Sequence, residues 1–172
     1  MAVVADLPDG LGAAAKGATV LQLRAPDLAA AALAALAREL MTSQSLPLLV
    51  SARLDVALAV GTAGVHLPEH DLPVAAARRL AGAILVGRSV HSSEAARESA
   101  AEGADYLLFG PVFETPSHPG RIPAGLAALA QVVAAVDIPV LAIGGVNAER
   151  APDCLAVGAA GYAAISAFAE TP

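Results

Sequence analysis

Ile138-Pro139-Val140-Leu141-Ala142-Ile143-Gly144-Gly145 is an apolar run halted by two glycines, and Asn147 then opens an amphipathic segment that closes at Gly158. That order is a buried strand, a glycine turn and a helix start. Glycines in such a turn let backbone N–H groups approach a ligand closely, and the following helix terminus adds partial positive charge, a pairing suited to phosphate. The same residues also suit an ordinary tight strand-to-helix turn, so the rest of the chain must decide between the two.

Working outward, short apolar runs recur at 1–6, 19–24, 47–52, 63–67, 83–88, 105–109, 138–143 and 161–166. Helical stretches lie between them. From Leu28 to Leu40, Leu33, Leu36 and Leu40 fall at helical spacing, and from Leu126 to Val136 one face carries Leu126, Leu129, Ala130 and Val133. Gly17, Gly61, Gly103 and Gly158 each punctuate the end of a helical stretch shortly before the next strand, as the left-handed residue of a helix C-terminus requires. Strands alternating with helices indicate a parallel sheet, and eight such units close most economically as a (β/α)8 TIM barrel spanning residues 1–172 as a single domain.

At 172 residues the chain is short for that fold, whose usual lower limit is roughly 200. Only Pro8 to Lys16 is available for the first helix, and six residues follow Ile165-Ser166. A compact barrel with shortened first and last helices is expected. Its uncovered outer face, beside the first and last strands, is expected to pack against a second copy in a homodimer.

Hydrophobic residues make up 56% of the chain, and alanine supplies many of them, leaving Tyr106, Phe109, Phe113, Tyr162 and Phe168 as aromatic bulk. The charge-free stretch Cys154 to Ala169 is too short and too glycine-rich for a membrane span. Asp6 interrupts the first apolar run and no basic region precedes it, so a cytoplasmic protein without a signal peptide is expected. Cys154 is the one cysteine and reads as core. A net charge of −6 argues against nucleic acid and anionic membranes as partners. The one lysine, Lys16, lies far from any strand's C-terminal end, which disfavours Schiff-base chemistry.

Barrels carry their chemistry at the C-terminal ends of the strands. Strand two ends in Gln22-Leu23-Arg24, where alternation points Gln22 and Arg24 the same way. Together they can clamp a carboxylate; an ion pair of Arg24 with Asp6 is the competing arrangement. Strand three ends in Ser51-Ala52-Arg53, strand four in His66-Leu67-Pro68-Glu69-His70-Asp71, strand five in Arg88-Ser89-Val90-His91, and strand six runs on through Gly110 to Gly120. Arg24 or Arg53 would supply positive charge to a phosphate. His66 and His70 are four apart, but Pro68 disfavours the helix that would bring both to one metal, and His66 is expected to satisfy its ring nitrogens inside the barrel. Glu69 and Asp71 could orient Arg53, and Asp105, at the opposite rim, is expected to be structural.

These strand ends, in this order, resemble the superfamily of thiamine phosphate synthase and the TenI-like thiazole tautomerases. The resemblance rests on Gln22-Leu23-Arg24, Gly64-Val65-His66-Leu67 with Asp71-Leu72-Pro73, Ser89-Val90-His91-Ser92, Gly103 to Tyr106 with Gly110 to Phe113, Thr115-Pro116-Ser117, and Ile143-Gly144-Gly145 with Ile165-Ser166. It implies that Gly144, Gly145, Ile165 and Ser166 bind the phosphate of a thiazole phosphate. Substrate contacts are also expected at Gln22, Arg24, Ser89, His91, Thr115 and Ser117, although Thr115-Pro116-Ser117 equally suits an ordinary turn and His91 could orient the loop after strand five instead.

Departures from the synthase pattern shape the expected activity. A lysine position holds Pro26, an Asn-Asp pair whose aspartate binds magnesium is replaced by Ser51-Ala52, and a Thr-x-Thr-Lys loop reads Thr115, Pro116, Ser117 and His118. Loss of such leaving-group contacts commonly costs about 3 to 4 kcal/mol, so efficient expulsion of pyrophosphate is not expected. The reading favours an isomerase, a metal-independent thiazole tautomerase acting on a thiazole phosphate carboxylate, with His118 as the proton shuttle. The resemblance would put the tautomerase histidine at Pro111, so His118 must reach over from the same loop or remain a loop histidine. No cofactor is expected, and Asp71 is the one carboxylate left if magnesium binds. Thiamine phosphate synthase and a non-catalytic binder of thiazole or thiamine phosphate are the alternatives.

Overall fold

A computed structural model describes residues 1–117 and 120–168 of the chain. Eight strands follow one another around the sheet: β1 (Ala2–Val4), β2 (Leu21–Leu23), β3 (Leu48–Ser51), β4 (Gly64–Leu67), β5 (Leu85–Val90), β6 (Tyr106–Phe109), β7 (Val140–Ile143) and β8 (Gly161–Ala163). All neighbours pair in parallel, from Val3 opposite Gln22 round to Ile143 opposite Ala163. A parallel bridge between Ala2 and Ala164 joins the last strand to the first and closes the barrel.

Seven helices connect these strands: α1 (Leu7–Ala15), α2 (Ala30–Ser43), α3 (Leu54–Val60), α4 (Val74–Ala81), α5 (Ser93–Ala101), α6 (Gly125–Val133) and α7 (Ala151–Ala156). Polar side chains set two of their starts. Asp6 accepts the Asp9 N–H at 2.9 Å to cap α1, and Ser92 accepts the Ala95 N–H at 3.1 Å to cap α5. Among the described residues no helix follows β8; instead Phe168 turns back and stacks on the outward ring of Tyr162, with centroids 6.1 Å apart. The economy is spread around the barrel, since α3 has seven residues and α7 only six.

Strand alternation divides the apolar side chains between two cores. Outward residues such as Leu21, Leu23, Val50, Val65, Leu67 and Phe109 pack beneath the helices with Leu33, Leu40, Leu129 and Cys154. Inward residues Leu49, Tyr106, Leu108 and Ala163 fill the barrel itself. Buried alanines on the helices, among them Ala13, Ala37, Ala57, Ala77 and Ala96, let short helices lie close to the sheet. Inside the barrel, Gly87 makes room for one large ring: a Cβ there would lie 2.0 Å from Cζ of Tyr106.

At the N-terminal rim, Arg78 fastens three elements. Its guanidinium donates to the carbonyls of Ile84 and Gly103 at 2.9 Å and pairs with Asp105, which also accepts the Val86 N–H at 2.7 Å. Asp105 is therefore structural, far from the strands' C-terminal ends. Cys154 is fully buried on α7. No helix among the described residues is long and apolar enough to cross a membrane.

Candidate active site

Above the barrel core, the C-terminal ends of the strands enclose a cavity of about 320 Å³. Gln22 and Arg24 reach its wall from the end of β2, Ser89 and His91 from β5, Thr115 and Ser117 from the segment after β6, Gly144 and Gly145 from the turn after β7, and Ile165 and Ser166 from the segment after β8. Ten residues singled out from sequence thus meet in one cavity. His118 lies outside the described residues. Asp71 does not line the cavity; its carboxylate accepts the Leu72 N–H at 2.6 Å.

Gln22 is 3% exposed, and its Oε1 makes no hydrogen bond among the described residues. A buried amide oxygen without a donor is costly, and the Gln22 side chain that carries it belongs to the cavity wall. Arg24 is exposed at the mouth. The expected competing ion pair is absent among the described residues, because the Asp6 carboxylate serves as the cap of α1. Arg53 likewise points away: it holds Asp55 through two bonds of 2.8 and 2.6 Å and keeps that carboxyl below its usual range. The second cavity cation is instead Arg121, which the sequence reading passed over. Its signal was the long segment between β6 and α6, a connection far longer than the usual few residues.

The glycine turn differs from the first expectation. Gly144 and Gly145 adopt φ of 89° and 67°, in the left-handed region. A Cβ on Gly144 would lie 2.5 Å from Cα of Pro111, and one on Gly145 would lie 2.3 Å from the Glu114 carbonyl oxygen. The missing side chains thus admit the strand-six segment, which is strapped down by the Val112 N–H to Ile143 carbonyl and Phe113 N–H to Gly144 carbonyl bonds at 2.9 and 3.0 Å. Asn147 caps the turn that leads into α7: its side chain accepts the Arg150 N–H at 3.0 Å and its carbonyl the Ala151 N–H at 2.9 Å, and the helix itself runs from Ala151. The turn itself, rather than a helix terminus, borders the cavity.

Both histidines on the described wall are engaged. His66 has Nδ1 3.0 Å from the Tyr106 hydroxyl and Nε2 2.8 Å from Ser89 Oγ. Burial, and to a lesser extent the nearby Arg88 charge, push its pKa down to about 3. His91 directs Nδ1 to the Gly110 carbonyl and Nε2 towards Glu69 Oε2 at 3.4 Å, so it both orients the loop and lines the cavity. Glu69 is itself held by its backbone, whose carbonyl accepts from Arg88 at 2.6 Å.

The resemblance implies magnesium in synthases, and the donor set can be tested against it. Ala52 offers no ligand atom, Asp71 lies off the cavity wall, and no group of three metal-ligating side chains occurs among the described residues. These residues do not form a magnesium site of their own.

A closed parallel barrel with polar groups converging at its C-terminal mouth defines a (β/α)8 protein whose candidate site lies where barrels of this class carry their chemistry. The chain belongs to the thiamine monophosphate synthase family, whose model matches residues 5–168. It is 48% identical over 162 residues to a thiamine-phosphate synthase of Methanoculleus marisnigri, covering 90% of this chain and 76% of that protein. It is 43% identical over 166 residues to a putative thiamine-phosphate synthase of Geobacter sulfurreducens, covering 94% and 78%. Among solved structures, a thiamine phosphate pyrophosphorylase from Pyrococcus furiosus superposes with a TM-score of 0.84 at 34% identity, covering 96% of this chain and 84% of that one.

These relatives overturn the expected isomerase. The names they carry belong to a transferase, and the thiazole tautomerase reading is withdrawn. The physical reason for the error is specific. Missing cations and a missing carboxylate argue about leaving-group charge, but their loss does not create a proton shuttle. Pro111, beside Gly110, has no ionisable group, and His66 and His91 are already committed to protein partners.

Proposed function

We propose that this chain is a thiamine-phosphate synthase of the cytoplasm. The observation that carries the reading is similarity to proteins of that name along nine-tenths of the chain. In the proposed reaction the thiazole nitrogen forms a bond to the methylene carbon of a pyrimidine methyl diphosphate, and the carbon–oxygen bond to diphosphate breaks. Pyrophosphate leaves with the bonding electron pair. Gly144, Gly145, Ile165 and Ser166 seat the thiazole phosphate, while Gln22 and Ser89 offer an acceptor and a hydroxyl to the pyrimidine side. Thr115, Ser117 and His91 complete the wall. Arg24 and Arg121 bring guanidinium charge to the departing diphosphate, an electrostatic role that backbone and amide groups cannot fill.

The test is to incubate purified protein with both substrates, with magnesium in one arm and EDTA in another, and to follow thiamine phosphate and pyrophosphate. Formation of both products in equal amounts supports the transferase. If calorimetry detects thiazole phosphate binding but neither arm yields product, the transferase reading falls and a binder remains.

The same reading includes a homodimer through the outer face beside β1 and β8, where no helix follows β8 among the described residues and Leu11 and Leu155 are 42% and 50% exposed. Sedimentation at twice the 17.0 kDa chain mass is the expected result, and a monomer at micromolar concentration would exclude it.

A further inference from the structure

Behind Ser89 runs a polar chain whose two inner members the proposed reaction does not yet use. It runs from Tyr106 on β6 through His66 on β4 to Ser89 on β5, with contacts of 3.0 and 2.8 Å. Tyr106 and His66 are buried, His66 being 2% exposed, and of the three His66 and Ser89 line the cavity. Its existence depends on Gly87, since any side chain there would drive into the Tyr106 ring.

We propose that His66 is a positioning residue: the Tyr106 hydroxyl holds its imidazole as the Nε2–H tautomer, so that Ser89 Oγ accepts from His66 and turns its own proton into the cavity. The polarity follows from counting donors. The phenol carries one proton, and burial raises its pKa, so the proton stays. Among the described residues the hydroxyl meets one partner, His66 Nδ1, which must therefore accept. The ring proton is then on Nε2, directed at Ser89 Oγ. The reverse polarity would strand a phenol O–H inside the barrel without an acceptor, and would turn the Ser89 proton inward, away from any ligand. Because His66 stays neutral well below physiological pH, the chain does not reverse as His66 titrates.

The result is a fixed donor at Ser89 on the cavity wall, beside the Gln22 side chain. That donor selects a ligand edge that presents an acceptor to Ser89. A serine hydroxyl left to rotate would not discriminate in this way. Its catalytic consequence rests on the synthase reading; the tautomer does not.

The tautomer is read directly by long-range proton–nitrogen NMR of protein labelled with ¹⁵N in its histidine rings. The expected signature for His66 is a protonated Nε2 and a bare Nδ1; a protonated Nδ1 overturns the proposal whatever the activity. Kinetics supply the second arm. His66→Gln places an amide nitrogen near the Nε2 position and should recover most of the activity, whereas His66→Asn places it near Nδ1 and should lower kcat/KM about tenfold. In a Ser89→Ala background the His66→Asn loss should vanish. Equal activity of the glutamine and asparagine variants, with both folded by circular dichroism, would also overturn the proposal. If the parent protein makes no thiamine phosphate, the synthase reading fails while the NMR spectrum still decides the tautomer.

Discussion

Gln22, a residue of the proposed site, shows how function can be set against stability. Its Oε1 is buried without a donor, which in a folded protein costs about 1 to 3 kcal/mol. Replacing it by methionine, of similar length and without the unpaired acceptor, should raise the unfolding free energy by about 1 kcal/mol and weaken substrate binding about tenfold. Urea titration and KM measured on the same preparation check both halves. A variant that is less stable than the parent would show that the oxygen is satisfied in solution, and would remove Gln22 as a waiting ligand contact. Residues of this kind were legible in sequence because a strand's period of two puts Gln22 and Arg24 on one face. The polarity of the Tyr106, His66 and Ser89 chain was not, because it depends on a ring crossing the barrel over Gly87 and no periodicity records that crossing. Arg53 was misjudged for a local reason: Asp55, two residues on, captures it before it can reach the mouth.

At the level of elements, the sequence was most readable where backbone chemistry is strictest. Gly17, Gly61, Gly103 and Gly158 all adopt positive φ, and each stands between a helix and the next strand, as the stop signals implied. The strands fall within a few residues of the apolar runs. β5 is shifted by two residues and extends to Val90, because Ser89 and Arg88 remain in the ladder opposite Leu108 and Leu107. Polarity suggested an earlier end, yet Ser89 is a polar residue that the barrel interior requires. Helix starts were less legible. Asn147 does cap, its side chain accepting the Arg150 N–H and its carbonyl the Ala151 N–H, but α7 runs only from Ala151. The consequence is functional as well as geometric, since the partial charge of a six-residue helix is displaced from the glycine turn that borders the cavity. Arg78 shows the opposite case, a charged residue on a short helix whose value lies in tying α4 to the starts of β5 and β6.

For the whole molecule, the decisive property is a closed interior that holds an imidazole almost wholly buried. A chain with net charge −6 is usually thought of as acid-labile through its carboxylates, but His66 adds a separate contribution with a defined window. In the unfolded chain it takes up a proton near its ordinary value of 6.5, whereas in the folded barrel it resists protonation down to about 3. The unfolded state therefore binds more protons between these limits, and stability must fall as pH is lowered through them. The full contribution is present above 6.5 and is lost progressively towards 3, at a slope approaching about 1.4 kcal/mol per pH unit. His66→Gln lacks the titrating ring while keeping a donor towards Ser89, so its stability should decline less steeply over the same range. Urea unfolding of both proteins at several pH values between 6.5 and about 4 measures the difference. The curves should converge as pH falls, the parent losing any advantage it holds near neutrality, because only the parent must bury an imidazole against an increasing protonation penalty. Parallel curves would mean that His66 takes up its proton in the folded state near 6.5, and so that water or a compensating carboxylate enters the barrel interior.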